Sequence, residues 1–200
     1  TSGSVNPRIN AEAGATLNLT ASTAVRSANN GNRTVTFGGG GTINVSGALA
    51  DQGTGKLSIV KDGPGTMNID GASNGMTGTI AVNDGTLNVR GVVAAPGSIQ
   101  VTSAALNLDF STAADGASNR LGTSSAVTLH GGVLSINGKN TAAASTNSQT
   151  LASLTLGTAT TNAGHSRLVL TSGTNGTTNL TIGNLTRNQN AHTLDISLPA

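Results

Sequence analysis

A five-residue phrase recurs along this chain and constrains its fold more than any other feature. It consists of a glycine, a threonine, an aliphatic residue, a small or polar residue and a second aliphatic residue. The copies read GTINV at 41–45, GTMNI at 65–69, GTIAV at 78–82 and GTLNV at 85–89. Each copy alternates apolar and polar residues, which is the period-two pattern of a β-strand with one buried face. The repetition predicts that successive strands pack in the same way.

The rest of the chain carries many strand signals and few helix signals. Short alternating runs rich in Val, Ile and Thr continue from ATLNLTA at 15–21 to HTLDISL at 192–198, and Gly, Asn and Asp separate them. Glutamate, a strong helix former, occurs only once, at Glu12. We therefore predict an all-β chain of many short strands, and we place the alanine-rich stretch at 141–146 in a loop.

Three features favour a β-solenoid over a sandwich or a barrel. The phrase recurs many times, and the aliphatic residues in it are interchangeable, with only two Phe and no Trp or Tyr in the chain. The same outward position also recurs as Asn44, Asn68, Asn88 and Asn107, which stacked coils would align into a hydrogen-bonded ladder. We predict one domain over residues 1–200, a right-handed parallel β-helix of roughly eight to ten coils with ~20–25 residues each.

This architecture assigns structural roles to two groups of residues. The inward aliphatic positions are expected to form the core rungs, namely Ile43, Val45, Leu57, Met67, Ile69, Ile80, Leu87, Val89, Ile99 and Leu106. Corners need a positive φ or a missing side chain, and the residues expected there are Gly63, Gly65, Gly78 and Gly85.

Residues 57–89, LSIVKDGPGTMNIDGASNGMTGTIAVNDGTLNV, resemble one copy of the autotransporter-associated β-strand repeat. The positions that match its pattern are Lys61, Gly63, Gly65, Thr66, Met67, Ile69, Gly71, Asn74, Thr77, Gly78, Gly85, Leu87 and Val89. Met67 replaces the usual Leu, and Met76 stands where an aromatic residue is common. The resemblance implies a right-handed β-helix that forms the stalk of an exported bacterial passenger domain, with no enzyme activity in the repeat. It also implies an outer-membrane β-barrel elsewhere in the parent chain.

The composition excludes several kinds of partner and cofactor. The ten basic and eight acidic residues are scattered, and there is no basic stripe with interleaved aromatics, so we do not expect nucleic-acid binding. The chain has no cysteine and therefore no thiolate metal site. No stretch approaches the ~20 apolar residues of a membrane-spanning helix. We predict no cofactor and no metal ion.

Parallel β-helices include polysaccharide lyases and hydrolases, which need carboxylates close together. Asp62, Asp70 and Asp84 recur near the glycines of the repeat, and stacked coils would bring them towards one another. An aspartate beside a glycine is more typical of a turn, and we interpret all three as turn residues.

The histidines offer a second possible site for chemistry. His130, His165 and His192 lie far apart without a metal-ligand spacing, and we interpret them as surface or loop residues. Together with the aspartates, this predicts that the chain is not an enzyme.

The function predicted from these observations is a structural rod in the extracellular space or on the bacterial cell surface. The rod is either a passenger stalk or a fibre subunit that associates end to end through open solenoid edges, as separate copies or as a covalent continuation. The alternative is an adhesin that binds glycans or host surfaces through side loops at 21–32, 111–125 and 139–150. A polysaccharide-active enzyme is the less favoured alternative.

Overall fold

The computed structural model describes residues 6–71, 75–113, 117–140, 144–157, 164–188 and 192–199. These residues form β-strands and no helix, and the strands of the two long sheets are parallel throughout. Successive coils stack into a β-solenoid. The predicted all-β solenoid fold is confirmed. Asn74, which matches the repeat pattern, lies outside the described residues.

Two eight-stranded sheets form the long sides of the solenoid. Sheet A contains, in spatial order, β1 (Arg8–Asn10), β4 (Arg33–Gly38), β7 (Leu57–Lys61), β9 (Ile80–Val82), β11 (Ile99–Thr102), β13 (Ala126–His130), β15 (Ser145–Leu156) and β17 (Gly176–Arg187). Sheet B contains β2 (Thr16–Leu19), β5 (Thr42–Val45), β8 (Thr66–Ile69), β10 (Thr86–Val89), β12 (Ala105–Asp109), β14 (Val133–Asn137), β16 (Gly164–Thr171) and β18 (His192–Ser197). A short third sheet pairs β3 (Thr23–Arg26) with β6 (Ala48–Ala50).

Strands of sheets A and B alternate along the chain, so each coil contributes one strand to each sheet. The solenoid has eight strands per sheet and slightly fewer turns than the roughly eight to ten coils predicted from the sequence. The coil length ranges from 19 residues between the partners Asn88 and Asn107 to 34 residues between the partners Leu134 and Leu168. The predicted length of ~20–25 residues is close to the 19–24 residues per coil between β4 and β12. The first coil has 26–28 residues, and the C-terminal coils, which carry insertions, have 27–34.

Two of the segments predicted to be side loops contain strands. The segment 21–32 includes β3, and residues 145–150 of the segment 139–150 form the first half of β15. The inward positions there are the polar residues Asn147 and Gln149, so the alternation of apolar and polar residues that marks a strand is absent. Residues 114–116 and 141–143 of the predicted loops lie outside the described residues.

The core fills the space between sheets A and B along the whole stack. It consists of aliphatic side chains together with both phenylalanines, Phe37 and Phe110, which are fully buried. Because neighbouring coils use similar side chains at equivalent positions, the interior is a set of rows and not a cluster around one centre.

The described residues contain no helix with the length and apolar character that a membrane span requires.

Candidate functional site

The register between strands aligns the predicted core residues into continuous rows. One row of sheet B passes through Leu17, Ile43, Met67, Leu87, Leu106, Leu134, Leu168 and Ile196. All ten residues expected in the core rungs are at most 1% exposed. Each fully buried aliphatic side chain contributes about 1.5–3 kcal/mol through removal from water, so the rows are the main source of stability in this fold.

An unbroken ladder of asparagine side chains lies outside the core row of sheet B. Each amide Nδ2 donates to Oδ1 of the asparagine in the preceding coil, at 2.7 or 2.8 Å. The members are Asn18, Asn44, Asn68, Asn88 and Asn107. The ladder predicted from four of these residues is confirmed, and Asn18 extends it by one coil. All bonds point the same way, so the ladder has a direction along the stack.

The four predicted corner glycines meet two different requirements. Gly63 and Gly85 have positive φ angles of 88° and 65°, which side chains other than glycine rarely adopt. Gly65 and Gly78 do not have positive φ. A Cβ atom at Gly65 would collide with the backbone of the preceding coil, and one at Gly78 would collide with the carbonyl oxygen of Leu57. Corners of this solenoid therefore need close backbone approach as well as special dihedral angles.

A lysine occupies a core row, in contrast to the purely apolar rows predicted from the sequence. Lys61 pairs in register with Phe37 on one side and Val82 on the other, and it is only 2% exposed. Its ammonium Nζ donates to the carbonyl oxygens of Gly63 at 2.6 Å and Asp84 at 3.2 Å, in two successive corners. Burial lowers the pKa of this ammonium, and nearby carboxylates oppose the effect only in part. The side chain thus joins two coils at the boundary between the core and the corner.

Asp51 forms a second polar connection between coils. Its Oδ1 accepts from the Leu57 backbone N–H at 2.7 Å, and its Oδ2 accepts from the Thr77 hydroxyl at 2.6 Å and backbone N–H at 3.1 Å. Burial alone raises the pKa of this carboxyl, but the hydrogen bonds from Leu57 and Thr77 and the charge of Lys56 outweigh it, so the pKa is lowered.

The three aspartates considered as a possible catalytic group have separate partners. Asp62 forms an ion pair with Arg8 at 2.8 Å, Asp70 lies 3.4 Å from Arg90, and Asp84 accepts from the next backbone N–H at 2.7 Å. The interpretation as a turn residue therefore applies to Asp84. For Asp62 and Asp70 it is incomplete, because stacking brings arginines from other coils to them.

The histidines are arranged differently from the prediction. His192 is fully buried, and its ring centroid lies 5.3 Å from that of His130, at an interplanar angle of 60°. The intervening coil provides room because it places Gly157 and Gly164 beside the ring of His192. The prediction that His192 is a surface or loop residue is wrong, because its side chain is buried. Its contact with His130 depends on the register between coils, which the spacing of the histidines along the chain does not reveal. Among the described residues, no three or more His, Cys, Asp or Glu side chains converge into a metal site.

Buried amides of β15 supplement an isolated backbone bridge, Ser118 with Ser148, to the preceding coil. The amide Nδ2 of Asn147 donates to the Ala117 carbonyl at 3.1 Å. The amide Nε2 of Gln149 donates to the Leu121 carbonyl at 2.9 Å, and its Oε1 accepts from the Leu121 N–H at 3.2 Å. Both side chains are at most 2% exposed, and their bonds satisfy backbone groups that would otherwise be buried without a partner.

The ends of the stack differ from its middle in the exposure of apolar side chains. We call β1 and β2 the N-terminal edge, and β17 and β18 with Leu198 the C-terminal edge. The outer sides of these strands pair with no other strand in the described residues. Within the described part of the chain, the exposed large hydrophobic side chains all lie on the C-terminal edge: Leu185 at 56%, Ile196 at 52% and Leu198 at 67%. At the N-terminal edge, Ile9 and Leu17 are only partly buried.

A cleft of about 420 Å³ opens beside the N-terminal edge. Its lining consists of Pro7, Arg26, Ser27, Ala28, Arg33 and Val35. Val35 is an inward residue of β4 and begins a core row that passes through the sheet and ends at the exposed Leu185. The cleft and the exposed leucine are therefore at opposite ends of one row.

Comparison of the chain with protein-family models, with curated proteins and with solved structures found no match. The resemblance of residues 57–89 to the autotransporter-associated repeat accordingly stays a prediction from the sequence.

Proposed function

We propose that this chain is a structural rod of the extracellular space or the bacterial cell surface, in which the solenoid is continued at its edges. The observation that carries the proposal is the exposure of Leu185 and Ile196. Each is the last member of a row that is buried in the middle of the stack, and each would become buried if a further coil covered it. A row that ends in an exposed leucine or isoleucine favours continuation over a free end.

The physical basis of the rod is repetition. Parallel strands pair each coil with the next, the aliphatic rows keep water out, and the asparagine ladder adds directional hydrogen bonds between coils. The surface is rich in Thr, Ser and Asn and carries few charges, with only 9% charged residues in the chain. The resemblance of residues 57–89 to passenger-stalk repeats supports the extracellular location.

Electron microscopy and sedimentation velocity of the 200-residue chain over a range of concentrations test this function. We expect unbranched rods with the width of one solenoid, whose mean length grows with concentration. Rods should be absent for a variant such as Ile43→Asp, in which the core row itself is disrupted. Dispersed globular monomers at all concentrations would contradict the proposal.

A further inference from the structure

We propose that copies of this chain join head to tail in one register, with the outer edge of β18 paired to β2 of the next copy and β17 paired to β1. This inference rests on the proposed function and deepens it, because it names the partner as a second copy and identifies the contacting residues. The junction would be a further instance of the coil-to-coil interface that occurs throughout the molecule.

The rows of sheet B determine this register. The row that begins at Leu17 ends at Ile196, so the two apolar residues meet when the C-terminal edge of one copy covers the N-terminal edge of the next. The adjacent outward row begins at Asn18 and ends at Ser197. A slip by one residue would direct the apolar side chains outward and the polar ones inward, so neighbouring registers are strongly disfavoured.

The direction of the asparagine ladder favours the same arrangement. Asn18 accepts a hydrogen bond from Asn44, but its own amide Nδ2 donates to no described residue. In the proposed junction, this donor faces Ser197 of the neighbouring copy, whose hydroxyl oxygen accepts hydrogen bonds. This bond would have the same direction as the ladder bonds, which within each copy extend from Asn18 to Asn107.

Sheet A provides a matching contact. Leu185 ends the row that contains Val35, and the cleft at the N-terminal edge lies beside Val35 and Pro7. The Thr36 N–H donates to the Pro7 carbonyl at 3.0 Å, which places Pro7 next to Val35 on the outer strand. Stacking therefore places the exposed side chain of Leu185 against the apolar part of this cleft.

A second copy matches these edges at the rows that end in Leu185 and Ile196. The second inward row of sheet A begins at Ile9 and ends at Arg187, so the junction covers Ile9 with the aliphatic stem of an arginine. The N-terminal edge of one copy contacts the C-terminal edge of the other, so the interface is heterologous and each new copy leaves another edge open. Such an arrangement predicts a linear filament and not a closed dimer.

Engineered disulfides test the register directly. The chain has no cysteine, so a bond in the double variant Asn18→Cys/Ser197→Cys links only the introduced residues. Adjacent strands are about 4.8 Å apart, which suits a disulfide, whereas a two-residue offset brings the separation to roughly 8 Å and prevents it. The matched control is therefore Asn18→Cys/Asp195→Cys, whose second cysteine lies on the same outward side, two residues away.

We expect mild oxidation to convert the first variant into a series of covalent oligomers on non-reducing gels, and to leave the control monomeric. A mixture of the two single variants should give only the dimer that joins Asn18→Cys to Ser197→Cys. Equal cross-linking of both double variants would overturn the register. Dimers of Ser197→Cys alone would show tail-to-tail pairing and overturn the head-to-tail direction.

Two further measurements separate the possible failures. Circular dichroism must show the same β-sheet spectrum for all variants, so that an absence of cross-links reflects assembly and not misfolding. In the cysteine-free chain, Leu185→Asp should abolish oligomers in sedimentation velocity, and unchanged oligomers would overturn the role of Leu185. Rods with the width of one solenoid, but without cross-links in the Asn18→Cys/Ser197→Cys variant, would refute the register alone. An absence of rods would refute the proposed function as well.

Discussion

The amide Nδ2 of Asn88 donates a hydrogen bond of 2.7 Å to Oδ1 of Asn68, which lies twenty residues earlier in the chain and beside it in sheet B. Asn68 in turn donates to Asn44, so its side chain takes part in two bonds. An asparagine at the end of the ladder takes part in only one, as Asn18 does. Substitution of an asparagine inside the ladder therefore breaks two side-chain hydrogen bonds, whereas substitution at the end of the ladder breaks one.

Asn68→Ala should lower the free energy of unfolding by about 1–3 kcal/mol, because it breaks two hydrogen bonds at a residue that is only 6% exposed. Asn18→Ala is the matched control, since it breaks one bond at an exposed position and should cost less than about 1 kcal/mol. Urea unfolding followed by circular dichroism measures both changes. Equal losses of unfolding free energy for the two variants would show that the additional ladder hydrogen bond of Asn68 contributes little to stability.

Lys61 allows a test of a buried charge within an aliphatic row. Lys61→Met keeps most of the unbranched side chain and removes the charge, so its free energy of unfolding should lie within about 1 kcal/mol of the natural chain or above it. Lys61→Ala leaves a cavity between Phe37 and Val82 and should cost about 2–4 kcal/mol. Chemical denaturation of both variants measures the difference. If the methionine variant is as unstable as the alanine variant, the hydrogen bonds of Lys61 to Gly63 and Asp84 contribute more to stability than the packing of its side chain. That result would contradict this prediction.

The hydrogen bonds of the Asp51 carboxylate should make the free energy of unfolding depend on pH. Its pKa is lowered in the folded chain, so the carboxylate stabilises the fold above the unfolded value of about 3.9, and this contribution is lost as the pH falls through the lower folded value. Asp51→Asn has one acceptor oxygen in place of two and should reduce the free energy of unfolding at pH 7 by about 1–3 kcal/mol. The difference from the natural chain should narrow below pH ~4. Denaturant unfolding at a series of pH values measures it.

Asp62→Asn is the control for this experiment, because it makes the same substitution in an exposed ion pair with Arg8. A surface pair of this kind contributes about 0–1 kcal/mol, so this variant should be less affected at pH 7. A difference for Asp51→Asn that does not change between pH 7 and pH 3 would contradict the assigned role of its carboxylate.

Gly85→Ala tests the corner directly. Its φ of +65° is unfavourable for alanine, and the added Cβ would meet the carbonyl oxygens of Gly65 and Gly63 in the preceding coil. We expect a loss of about 2 kcal/mol or more in the free energy of unfolding. Gly75→Ala is the matched control, since a Cβ there meets no atom within 4 Å, and it should change stability by less than about 1 kcal/mol. Thermal unfolding of both variants measures the effect, and a stable Gly85→Ala variant would show that the corner can relax.

The parts of the fold that were predictable are those that depend on neighbours in sequence. Alternation within five residues identified Met67 and Leu87 as inward residues, and equivalent positions in similar phrases identified Asn68 and Asn88 as ladder partners. The first half of β15 was missed because buried amides such as Gln149 occupy its inward positions, and their hydrogen bonds to backbone groups give no apolar signal in the sequence.

Short strands with one aliphatic side follow from the order of residues alone, because side-chain direction alternates along any strand. The repeated stack also follows from this order, because equal phrases pack in equal ways. The contacts between distant coils, such as that of His130 with His192, and the position of Lys61 in the core depend on the stacking of the coils. The reason is that coil lengths vary with each insertion, so the register between coils follows from packing and backbone pairing and not from spacing along the chain.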